Sequence, residues 1–176
     1  MKKLMLLAAV AVFSLSNVNA QELRAGLNGG VPIGDAGDFY TFTFGLDVTY
    51  LFLEVSEDFQ VGAATGYSTS SGDDITSPSI TFGGVTIPGV TVEIDSFDYI
   101  PLAAAGRYSL SEAFILGLDL GYAIVMTDGA DSGLYYRPMV GYNFTEDLQA
   151  TLSYTGVSQD GTNFSSVLLG VSYKLM

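Results

Sequence analysis

Large apolar side chains recur at every second position from residue 40 to 53. Tyr40, Phe42, Phe44, Leu46, Val48, Tyr50 and Phe52 alternate with Thr41, Thr43, Gly45, Asp47, Thr49 and Leu51. Period two is the mark of a strand whose two faces meet different surroundings. The β-branched and aromatic residues that dominate the run argue against a helix, where they lose side-chain freedom against the preceding turn. At about 3.3 Å per residue the run exceeds a soluble strand of about five or six residues. Tilted by about 45°, it crosses a hydrocarbon layer of about 30 Å. Aromatics at both ends with aliphatics between them match two interfacial girdles around an apolar band. The run predicts a membrane-spanning strand with its aromatic series outward.

The same alternation returns along the chain. It predicts strands over residues 22–31, 40–53, 59–67, 97–110, 114–126, 134–144, 148–156 and 164–175. Residues 114–126 nearly copy the first pattern, with Phe114, Leu116, Leu118, Leu120, Tyr122 and Ile124 on one face and Asp119 alone among small residues on the other. One short acidic turn is used three times, as Ser56-Glu57-Asp58, Ser111-Glu112-Ala113 and Thr145-Glu146-Asp147. Three inner turns and four outer connections are the number an eight-stranded barrel needs when both termini lie on one side. The longest connection, residues 69–96, carries two β-prone runs at residues 79–82 and 90–94. Pro78, Pro88 and the glycines around them predict an external loop hairpin rather than two further membrane strands.

Composition sharpens this picture. Lys2 and Lys3, an apolar run over residues 4–15 and Ser16-Asn17-Val18-Asn19-Ala20 read as a signal peptide over residues 1–20, leaving residues 21–176 as one barrel domain. No later segment has the 18 apolar residues of a helical span. Even so, the mean hydropathy is +0.37, and the chain holds 21 Gly, 11 Phe and 11 Tyr. An exported, on average apolar chain without a helical span fits an outer-membrane barrel, whose outward face must match lipid while its inward face need not. Cysteine is absent, which excludes a disulfide-stapled secreted domain.

The chain resembles the small outer-membrane β-barrel family of Gram-negative bacteria, the OmpA/OmpX-type, porin-like "outer membrane protein beta-barrel domain". The resemblance spans the leader, the eight alternating segments, Tyr99-Ile100-Pro101-Leu102 and the terminal Gly170-Val171-Ser172-Tyr173-Lys174-Leu175. It implies an all-β, eight-stranded antiparallel up-and-down transmembrane barrel in the outer membrane, seated there by the barrel-insertion machinery. Its motifs are specific for fold and weak for activity.

Charge points to the interior. Six Lys and Arg face nineteen Asp and Glu, and two of the six lie in the leader. The remaining four, Arg24, Arg107, Arg137 and Lys174, all fall on the face that alternation assigns to the lumen, as do Asp47 and Asp119; Glu22 lies near the entrance. An eight-stranded barrel is only wide enough for its own side chains to fill it, so these six predict an ion-pair network that closes the lumen. A set of charges lining a narrow passive pore for small solutes or ions is the alternative.

Other chemistry is constrained. With no His there is no base for Ser-His hydrolysis, and without Cys or His there is no transition-metal site of the usual type. No catalytic residue and no cofactor is expected, and the scarcity of basic residues disfavours nucleic acid. The predicted outer loops carry Asp35, Asp38, Asp73, Asp74, Glu93, Asp95, Asp128, Asp131 and Asp160. Of these, Asp73, Asp74, Asp128 and Asp131 are candidate contacts for hard divalent cations bridging to lipopolysaccharide, although their spacing is not that of an EF-hand. The expectation is a monomeric, non-enzymatic structural or surface-interaction protein acting through acidic loops. A soluble exported barrel carrying an apolar ligand, with the aromatic face turned inward, is a second alternative.

Overall fold

The computed structural model describes residues 21–159 and 162–176; the predicted signal peptide and the loop residue Asp160 lie outside the described residues. Twelve strands form, in chain order: β1 (Glu22–Ile33), β2 (Tyr40–Ser56), β3 (Phe59–Gly72), β4 (Ile75–Thr76), β5 (Ile80–Phe82), β6 (Val85–Ile87), β7 (Thr91–Val92), β8 (Phe97–Ser109), β9 (Phe114–Val125), β10 (Gly133–Asn143), β11 (Leu148–Gln159) and β12 (Thr162–Lys174). Eight of them close a barrel in the order β1-β12-β11-β10-β9-β8-β3-β2, every pair antiparallel. Closure is made by β1 on β12, from Arg24 opposite Lys174 to Ile33 opposite Ser165. It continues past the strand ends, where Leu23 N donates to Met176 O at 3.0 Å and Leu175 N to Leu23 O at 2.7 Å.

The faces follow the predicted alternation. Phe44, Leu46, Val48, Leu102, Leu116, Leu118, Leu120, Val140, Leu152, Leu169 and Val171 all stand exposed, while Thr43, Thr49, Ala105, Asp119, Met139, Ser153 and Leu168 are buried inside. A large apolar surface of this kind around a closed sheet belongs in lipid. The inward-aromatic soluble carrier is therefore excluded.

Alternation fails at three places, all in β2, and all for the same reason. The β2–β3 register slips between Tyr40 and Phe42, between Leu51 and Leu53 and between Glu54 and Ser56. Each slip is a β-bulge, in which one extra residue breaks the count and re-aims its neighbours. The first turns Tyr40 inward, against the expectation that it continues the outward series: its ring meets Phe97 at 6.2 Å and Phe164 at 5.4 Å. After the second, Leu53 and Val55 take over as the exposed positions.

The outer connections also differ from a plain loop reading. Strand β1 runs on through Pro32, and residues 34–38 form a 3₁₀ turn that tucks Ala36 into the barrel mouth. Strand β3 extends to Gly72, five residues past its predicted end. Residues 73–96 lie outside the barrel, as expected, but the two β-prone runs do not pair with each other. Strand β5 pairs with β6 across the Gly83-Gly84 turn, and β7 pairs back with β4. Gly83 and Gly84 have φ of 61° and 81°, values that a two-residue hairpin turn requires and that glycine adopts without steric cost.

One measurement checks the assignment of faces. Leu118 is exposed near the middle of β9, and Leu118→Arg is expected to lower unfolding stability in phospholipid vesicles by about 2–4 kcal/mol, the range for a basic group at the bilayer midplane. A denaturant titration of the refolded protein reads the loss directly.

Candidate functional site

Alternation puts Asp47, Arg107, Asp119 and Arg137 on inward positions of four different strands, and the register brings them to one level. Asp119 sits opposite Arg137 across the β9–β10 ladder and opposite Ala105 across β8–β9, with Arg107 two residues further along β8. Asp119 is fully buried; Arg107 and Arg137 are 8% and 7% exposed. Arg107 Nη1 donates to Asp119 Oδ1 at 2.6 Å and Arg137 Nε to Asp119 Oδ2 at 2.9 Å. Arg137 Nη1 lies 3.1 Å from Asp47 Oδ1, and the Asn28 amide donates to the same carboxylate. The result is a chain of alternating sign, Arg107 to Asp119 to Arg137 to Asp47, ending on a neutral amide.

Small residues make room for it. A Cβ on Gly117 would lie 3.1 Å from Arg107 Cδ and 2.5 Å from Met139 Cγ, and one on Gly45 would lie 2.4 Å from Asn28 Oδ1. Each would displace a side chain of the layer, because close-packed interiors leave no spare volume.

Arg24 and Lys174, the other two basic candidates, form a separate group at the end where the chain termini meet. Both pair with Glu22, Arg24 in close contact and Lys174 Nζ at 3.5 Å. Arg24 also donates to the carbonyls of Glu146 and Asp147, each at 3.3 Å, which ties β1 to the β10–β11 turn. The six predicted lumen charges thus stand on the inner side in two clusters.

Above the charge layer the lumen is filled by rings, small aliphatic residues and buried hydroxyls, among them Thr43, whose hydroxyl is hydrogen-bonded to those of Ser70 and Ser166. Phe97 stacks on Phe164 with ring centroids 4.3 Å apart, and Tyr40, Tyr99 and Tyr135 extend the cluster with centroid distances of 5.4 to 6.2 Å. Ala36, Ala103, Ala123 and Val157 fill the space between the rings. Sequence reasoning assigned no role to Asn28, Tyr99 or Tyr135. Parity was the available signal, since Tyr99 and Tyr135 lie an even number of residues from Arg107 and Arg137 in uninterrupted strands. Below the layer, the lumen opens toward the chain termini as a polar cavity of about 350 Å³, bordered by Thr49, Gln60, Ser109, Gln149 and Thr151 as well as the charged groups.

The loop acids are not gathered in this way. Asp73 and Asp74 are exposed on one connection and Asp128 and Asp131 on another, and among the described residues no three acidic side chains converge as a metal site would need.

A closed antiparallel sheet with an apolar exterior, polar or charged interior and termini at the short-turn end defines a transmembrane barrel of the bacterial outer membrane. A family model described as "Outer membrane protein beta-barrel domain" matches residues 5–174, and the chain belongs to that family. No curated protein sequence matches it. Its fold is similar to that of Ail, the attachment invasion locus protein of Yersinia pestis, at 18% identity and a TM-score of 0.52 over 88% of this chain and 97% of that one. It is similar as well to the N-terminal barrel domain of Pseudomonas aeruginosa OprF, at 11% identity and 0.51 over 88% and 97%. A de novo designed transmembrane barrel gives 12% and 0.52 over 88% and 95%. The protein is an outer-membrane barrel.

Asp119 is the shared acceptor of two buried guanidinium groups, so Asp119→Asn leaves both undercompensated. The expected loss is about 3–5 kcal/mol, as for a buried pair stripped of one partner, measured by denaturant unfolding in vesicles. A loss below about 1 kcal/mol, the level of an exposed pair, would mean that the layer is hydrated.

Proposed function

We propose that the protein is a non-enzymatic barrel whose lumen is sealed and whose work is done at the cell surface by its outer loops. The observation that carries this reading is the double stopper: an aromatic cluster stacked above the Arg107–Asp119–Arg137–Asp47 layer. Eight strands leave an interior that side chains fill, and here an aromatic layer lies on a charged one. Passage of a solute would demand that both be displaced together. The lumen residues supply no nucleophile paired with a base, consistent with a structural role.

The loops support a surface role through their composition. Residues 75–92 carry no charge, although the chain is strongly acidic and the segment is flanked by Asp73, Asp74, Glu93 and Asp95. Phe82 at its tip is 87% exposed, and Ile75, Val90 and Val92 are exposed too. An apolar tip on an acidic base suits contact with another surface. Ail is by name an attachment protein, and attachment is a use to which this loop arrangement lends itself. Exposed Asp73, Asp74, Asp128 and Asp131 would draw Mg²⁺ or Ca²⁺ loosely to the rim, which lets acidic loops lie beside anionic lipopolysaccharide. The barrel itself works as a monomer in this reading.

Planar-bilayer recording tests the seal: the refolded protein is expected to show no steady unitary conductance. A stable conductance that changes when Arg107 or Asp47 is substituted would favour the competing reading, a narrow pore for small solutes or ions. Replacing residues 74–95 with a short Gly-Ser turn tests the loop role. The shortened protein is expected to keep the heat-dependent gel shift of a folded barrel, while cells displaying it lose surface adhesion that the full-length protein confers.

A further inference from the structure

The polar cavity on the terminus side of the charge layer has features that the sealed-barrel reading leaves unused. It is blind, closed at its inner end by Arg107 and Arg137, and its volume of about 350 Å³ falls at the low end of the roughly 300–1,000 Å³ typical of ligand pockets. All four basic residues beyond the leader border it, in a chain that holds nineteen acids. We propose that this cavity binds a small zwitterion, a free amino acid or the carboxyl end of a short peptide, reached from the periplasm.

The inner end calls for a carboxylate. A guanidinium has five N–H donors. Arg107 uses Nη1 alone, for Asp119 and its neighbouring carbonyl of Gly106. Arg137 uses Nε on Asp119 and Nη1 on Asp47. Among the described residues, Arg107 Nε and Nη2 and Arg137 Nη2 carry no protein partner, yet both side chains are more than nine-tenths buried and both border the cavity. Those N–H groups open to the cavity, and planar guanidinium edges fit the two oxygens of a carboxylate. Ser172, also on the cavity wall, carries a buried hydroxyl without a partner.

The mouth calls for a cation. Glu112 and Glu146 border the cavity and stand exposed, and no ion pair engages either carboxylate among the described residues. A plain anion would leave Glu112 and Glu146 at the mouth without a counter-charge and would enter against the net acidic charge of the chain, −13 in formal terms. A zwitterion has no net charge to repel: its carboxylate lies against Arg107 and Arg137, and its ammonium faces Glu112 and Glu146.

The test is an NMR titration of the refolded, leaderless protein in detergent micelles, following backbone amides. The probe is the dipeptide alanylalanine, compared with its C-terminal amide and its N-acetyl form. Saturable shifts at Gly117, Ser172 and neighbouring inward positions are expected below about 10 mM, ten times a millimolar dissociation constant. The amide is expected to bind about tenfold more weakly or worse, as befits losing a charge-assisted contact. The double variant Glu112→Gln with Glu146→Gln alters only exposed side chains, so it retains the barrel. It is expected to weaken alanylalanine severalfold and leave the N-acetyl form unaffected, a pattern that loss of structure would not produce. Free alanine set against alanylalanine then tells an amino acid from a peptide terminus as the natural source.

Shifts that fail to saturate, that are equal for all three dipeptides, or that fall only on the outer loops would overturn the proposal. Its failure is separable from that of the sealed-barrel reading. A conducting barrel that binds alanylalanine refutes the seal alone, and a silent barrel that binds nothing refutes this site alone.

Discussion

A backbone N–H or C=O in hydrocarbon has no water to turn to, and leaving it unpaired costs several kcal/mol. That single constraint shapes the rest of this protein. It demands that β1 meet β12, and the chain meets the demand through ten register pairs and two further hydrogen bonds between the terminal residues. It also explains where irregularity is tolerated. The small paired strands β4–β7 have open edges, and they are confined to the 73–96 connection, outside the barrel sheet.

Once the sheet is closed, the two faces of each strand face incompatible surroundings, and the few charges have one place to go. Placing Arg107 or Arg137 outward would expose a cation to lipid; placing them inward obliges the lumen to supply counter-charges. Asp119 supplies one, held between two guanidiniums, and Asp47 the other, with Asn28 completing the chain. The buried layer is therefore a consequence of the barrel more than its cause. Its energetic value lies in every charge having an opposite charge beside it, because a buried network missing one member is worse than none.

The interior is asymmetric along its axis. Toward the outer loops it is filled by rings, small aliphatic residues and buried hydroxyls; toward the termini it opens as a charged cavity. A simple structural plug would not need such a division. The outer half is packed with side chains at the mouth from which the loops project, with Ala36 drawn in from the first connection. The inner half keeps donors and acids accessible from one side only. The two ends of the lumen thus present different chemistry.

Strand count, the inward and outward faces and the inward placement of all four basic residues were legible in the amino-acid pattern. Each depends only on period-two alternation and the repeated acidic turn, which are local properties. The bulges at Thr41, Phe52 and Val55 were not legible, because a bulge is decided by which residues the neighbouring strand presents. Tyr40 consequently read as lipid-facing although it closes the barrel mouth. Nor did the pattern show which acid meets which arginine, or that Tyr99 and Tyr135 join Phe97 and Phe164 in one cluster. Those contacts link residues separated by tens of positions, and their partners are set by strand register and barrel closure. Alternation along a strand determines only the side to which a residue points; the level at which it meets its neighbours is a property of the closed sheet.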